Sequence, residues 1–144
     1  AQARWRSLSA RDTLERRVAR IHVISLSVQR HLLTRTVTDK YKALKGKPIS
    51  DWPAAFKSNW DPKKDFGLAK LHAERLIQIL SDEAIVEALF KQSGVHPHRR
   101  AYLERYLERC EPRCRHLQDV ILNTGDRLLS QLDEADVESS AKAV

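Results

Sequence analysis

Apolar positions recur at three- and four-residue steps through the longest uninterrupted stretch of the chain, Ala10 to Lys45, which holds neither Gly nor Pro. Leu14, Val18, Ile21, Val28 and Leu32, followed by Val37, Tyr41 and Leu44, fall on one stripe of an α-helix, because each residue turns the helix by about 100°. Ser9 with Asp12 reads as a capping box, and Gly46 before Pro48 reads as a stop, so a helix is predicted near 9–45. Such a helix spans about 50 Å and cannot bury its stripe alone. The β-branched run Thr34, Thr36, Val37, Thr38 predicts a bend or boundary near Thr36.

Three further helices follow from the same spacing. Asp61 before Pro62 opens one near 62–80, with Phe66, Ala69, Ala73, Leu76 and Leu80 as its stripe and Leu68, Ile77 and Ile79 widening it. Ser81-Asp82 reads as the cap of another near 82–93, with Ala84, Ile85, Ala88 and Leu89 turned inward. The last, near 97–132, carries Leu103, Leu107, Cys110, Cys114, Leu117, Ile121, Thr124 and Leu128 at alternating steps of four and three. Pro112 lies opposite that stripe, and Gly125-Asp126 offers a second break. The expected fold is therefore all-α: a bundle of four main helices, the first and last long and roughly antiparallel. A single domain is expected over 1–138, with a frayed tail at 139–144.

The connection at 46–62 holds the densest aromatic patch. Asp51 and Pro53 suit the start of a short helix on which Trp52, Phe56 and Trp60 share one face. Two uses fit that face: a lid over one end of the bundle, or an anchor for a partner or membrane interface.

The overall charge of +7 is uneven. Residues 1–60 carry 13 Lys/Arg against 4 Asp/Glu, whereas 125–144 carry 2 against 5. Arg16, Arg17 and Arg20 lie off the apolar stripe and, with Lys45 and Lys47, form the electrostatic surface expected to meet a partner. Trp5 between Arg4 and Arg6 suits an early start of the first helix with the ring on the bundle, a membrane-flanking segment, or the remainder of an organelle-targeting sequence. The chain opens on Ala1, and the setting favoured is intracellular, next to a membrane through a segment preceding that residue.

Chemistry-bearing patterns are sparse. Cys110 and Cys114 share a helix face, but His116 is turned well away from it, and His96 and His98 complete no zinc spacing. No phosphate loop, nucleophile elbow or His-Glu-x-x-His helix occurs. Glu104, Glu108 and Glu111 alternate with Arg105, Arg109, Arg113 and Arg115 as a salt-bridged, solvated face. No catalytic residue, metal, cofactor or small-molecule substrate is expected. The reading is a non-enzymatic scaffold or interaction module that docks other proteins or its own copy, an anionic membrane surface being a further partner. The alternative is a nucleic-acid-binding protein that uses the basic face of the first helix.

Overall fold

The computed structural model describes residues 13–44 and 66–142. Of these, 95% are helical and none is in a strand, which makes the fold an all-α bundle. The elements are α1 (Thr13–Leu44), α2 (Gly67–Leu71), α3 (Ala73–Val95), a 3-10 turn (Pro97–Arg99), α4 (Arg100–Asn123) and α5 (Asp126–Lys142). The aromatic helix with Trp52, Phe56 and Trp60, together with Lys45 and Lys47, lies outside the described residues.

The stripes of α1 and α4 meet as their spacing predicts. Leu14, Val18, Ile21, Ile24, Val28 and Leu32 pack with Leu103, Leu107, Cys110, Cys114 and Ile121, and α3 adds Ile79 and Val86. Pro112 is exposed on the outside of α4, where its missing N–H faces water.

Four expectations need correction. First, α1 does not break near Thr36. The Thr36 hydroxyl donates to the Leu32 carbonyl at 2.9 Å, so the buried side chain is satisfied within its own helix and the helix runs on. Second, the core-facing row continues as Thr36 and Lys40, while Val37 and Tyr41 lie on the next row out and are exposed.

Third, Ser81-Asp82 caps nothing, because α3 is continuous from Ala73 to Val95. Asp82 sits at mid-helix, where backbone amides already have carbonyl partners, and its side chain turns into the bundle. The phase of the inward face shifts accordingly: Val86 is buried and Leu89 packs beside it, whereas Ala84, Ile85 and Ala88 are exposed.

Fourth, α1 and α4 run parallel. Arg17 meets Glu111 and Ser27 meets Gln118, so both numbers rise together, and Arg35 beyond them meets Asp126 at the start of α5. The antiparallel expectation assumed two helices between them. With α3 unbroken there is one, and one helix between two others returns the chain to its starting direction. The bundle is up-down-up, as the pairs His22–Glu83 and His72–Thr124 show for α3 against α1 and α4.

The last predicted helix is divided at Thr124–Gly125, one of its two marked breaks. Gly125 has φ +108°, a left-handed conformation that a side chain resists, and a Cβ there would lie 2.9 Å from Leu71 Cδ2, 3.0 Å from Leu68 Cδ1 and 3.1 Å from His72 Nε2. Gly125→Ala is therefore expected to lower unfolding free energy by about 1–3 kcal/mol. Gly94, in the last turn of α3 with nothing within 4 Å of its would-be Cβ, is the opposite case. Gly94→Ala is expected to stabilise by up to about 1 kcal/mol. Urea unfolding midpoints of the two variants check both signs.

Candidate functional site

Three polar sites interrupt the apolar packing. The first centres on the buried Asp82, whose carboxylate accepts from Arg113 Nε at 3.0 Å and Nη2 at 2.6 Å, from Tyr106 Oη at 2.8 Å and from Cys114 Sγ at 3.4 Å. Burial by itself would raise this carboxyl. The hydrogen bonds from Arg113, Tyr106 and Cys114 outweigh it and hold the group below its ordinary value. Burial and the nearby carboxylate push Tyr106 up to about 12 and the thiols of Cys110 and Cys114 up to about 11 and about 12. Both thiols are free and buried, and they are neutral at pH 7, the unreactive form.

The second site is the corner where α2 meets α3 and α4 meets α5. His72, fully buried, donates from Nε2 to the Thr124 carbonyl at 3.2 Å and accepts at Nδ1 from Arg75 Nη1 at 3.4 Å. That pattern uses one N–H and one lone pair, as a neutral imidazole provides. Burial lowers the His72 pKa, and the charges of Arg75 and His31 act in the same direction against the Thr124 bond.

The third site lies between α1 and α4. Arg17 Nε donates to Glu111 Oε1 at 3.1 Å, Arg115 Nη2 stands 3.6 Å from Glu111 Oε2, and Gln118 Nε2 donates to Ser27 Oγ at 2.8 Å. Beside these bridges a groove of about 270 Å³ opens, lined by Arg20, Ile21, Val23, Ile24, Glu111, Arg115 and Gln118.

Of the residues that the sequence marks for partner contact, the structure brings Arg20 into the lining of this groove, ties Arg17 to its wall residue Glu111 and leaves Arg16 exposed away from it. Arg17 is half-buried by its ion pair rather than a free surface charge. The charge alternation along the sequence marks Glu111 and Arg115 only as part of a solvated face. The available signal was that Glu111 follows Cys110 directly, so it flanks the buried seam and faces a neighbouring helix. Leu26 and Leu33 were also missed. They belong to a second row on α1, turned away from α4, in which Leu26 is 51%, Leu33 67% and Val37 49% exposed. Their steps of seven and four are a helical spacing that the core stripe does not use.

Among the described residues, no group of three or more His, Cys, Asp or Glu side chains is placed to hold a metal ion. Among them too, no helix is long and apolar enough to cross a membrane. No family model, curated protein or solved structure matches the chain. The class defined by fold and sites is thus an all-α bundle, its four longer helices packed together, cross-linked by buried polar contacts and carrying a basic groove among the described residues.

Two predictions follow from the buried groups. Asp82→Ala is expected to cost about 2–3 kcal/mol in denaturant unfolding, because Tyr106 and Cys114 lose their acceptor. Because the folded carboxyl is held below 3.8, the deficit of Asp82→Asn is expected to be constant at neutral pH. It closes as pH falls below 3.8, once wild-type Asp82 takes up a proton. For His72 the unfolded chain binds the proton more readily, so its stabilisation is complete above pH 6.5 and declines as pH falls below 6.5. Melting midpoints between pH 7.5 and 5.5 are expected to fall more steeply in wild type than in His72→Gln, on the order of a few degrees for each kcal/mol lost.

Proposed function

We propose that this chain is a non-enzymatic helical interaction module that docks other proteins through the outer row of α1. The observation that carries the reading is the row itself. Leu26, Leu33 and Val37 are large, roughly half or more exposed, and aligned on a helix whose opposite face is already committed to the core. Single exposed apolar residues are ordinary, whereas an aligned row suits a second helix packing at three- and four-residue steps. Arg30 is exposed within the row, so a partner helix with an acidic residue beside its apolar stripe fits best.

The buried ionisable groups support a structural role. Asp82 is saturated with donors, the two thiols are neutral, and His72 has both ring nitrogens engaged. None is aimed at open space where a substrate atom would sit, as acid–base or nucleophilic catalysis requires.

The test is residue-specific photo-crosslinking in the native cell, with the probe placed at 26, 33 and 37 and, as a control, at Arg109 on the exposed face of α4. One protein is expected to cross-link from all three row positions and not from 109. Leu33→Glu is expected to abolish that product from 26 and 37 while shifting stability by no more than about 0.5 kcal/mol. Cross-links without positional preference would sink the reading. Binding of mixed-sequence DNA with a steep salt slope, lost in Arg16→Glu and Arg20→Glu, would replace it with the nucleic-acid one.

A further inference from the structure

The groove between α1 and α4 carries chemistry that the outer row does not. Arg20 and Arg115 line it beside one carboxylate, that of Glu111, whose charge Arg17 meets from outside the lining, which leaves the other two guanidiniums in excess. Arg17 is committed to Glu111 at hydrogen-bond distance. Arg115 is not, since its closest approach is 3.6 Å and its side chain is largely exposed. Arg20 forms no ion pair with any of the described residues. Between these two guanidiniums the lining is aliphatic: Ile21, Val23 and Ile24. A site with cations at its mouth and branched alkyl side chains along its wall selects for a ligand that is anionic at one end and apolar at the other.

We propose that this groove binds a short aliphatic carboxylate, with the head between Arg20 and Arg115 and the stem against Val23 and the edge of Ile24, over the buried Ile21. Size and charge both restrict the ligand. A volume of about 270 Å³ lies just under the range of small-molecule pockets, roughly 300–1,000 Å³, and suits an inserted portion of about ten heavy atoms or fewer, the rest of a larger ligand staying outside. The Glu111 carboxylate in the wall disfavours a second negative charge, which argues for a carboxylate over a phosphate dianion. Planar guanidiniums match a carboxylate in a two-pronged geometry that a lysine would not provide. A free acid and the Glu side chain of a peptide offer this same chemistry.

The experiment is amide-resonance titration of the full chain with hexanoate, using hexan-1-ol (no charge) and acetate (no stem) as comparisons. Hexanoate is expected to shift resonances of residues 20–24 and 115–118 saturably, with a dissociation constant on the order of 1 mM for so small a ligand. Both comparison compounds are expected to bind at least about tenfold more weakly, and Arg20→Gln and Arg115→Gln to weaken hexanoate by a similar factor each. Both arginines are exposed, so the variants should keep the wild-type melting midpoint, which is measured alongside. A linear, unsaturable shift, equal affinity for hexan-1-ol, or unchanged hexanoate binding in the double variant would overturn the assignment. N-acetyl-Leu-Glu-amide separates the sources: tighter binding than hexanoate assigns a peptide carboxylate, and weaker binding a free acid. None of these outcomes involves Leu26, Leu33 or Val37, so failure here leaves the outer-row docking untouched.

Discussion

A carboxylate taken out of water costs several kcal/mol unless donors replace its hydration, and Asp82 is where this bundle meets that cost. Its partners Tyr106, Arg113 and Cys114 all belong to α4, within about two turns of one another and on the side that faces α3. Sliding α3 by a single turn, about 5.4 Å, would strand the charge in an apolar interior. Leu, Ile and Val side chains tolerate such slips far better, because one branched alkyl group replaces another at little cost. The packing of α3 on α4 is therefore set in its register by one polar side chain, while the surrounding apolar residues supply the bulk of the burial.

The rest of the architecture follows from α3 being one helix with Asp82 at its middle. One reversal at Pro97–Arg99 brings α4 back parallel to α1. The two helices then face each other through Arg17–Glu111 and Ser27–Gln118, and Arg35 reaches on to Asp126 at the start of α5. These bridges hold long side chains across the interface and leave the basic groove between them. Because three helices surround one core, each keeps an outer face, and α1 at 32 residues outruns the 24 of α4. Its uncovered row is a consequence of that geometry, with apolar residues where a solvated helix would carry charges.

The corner at His72 and Gly125 is built on a different constraint, space. The left-handed Gly125 lets the chain turn from α4 into α5 within contact distance of Leu68, Leu71 and His72. The imidazole takes up the carbonyl that the turn leaves free at Thr124. Leu129 then seats against Gly67 and ties α5 back to α2.

What the sequence determined alone was whatever depends on neighbours along the helix. The stripes of α1 and α4, the exposed Pro112 and the break at Gly125 all follow from 100° per residue and from backbone chemistry. Arg17 and Arg20 were legible as charges off the stripe for the same reason. What the tertiary structure decided was every feature that needs two helices at once. Ser81-Asp82 has the local form of a helix cap, and only the donors waiting on α4 make Asp82 an interior residue. Glu111 and Arg115 form an ordinary i,i+4 pair on their own helix, and they become a site only when Arg17 and Arg20 arrive from 90 residues or more away. Local propensity is a property of a segment. Desolvation, helix direction and a groove are properties of what lies opposite it, and that is fixed by packing.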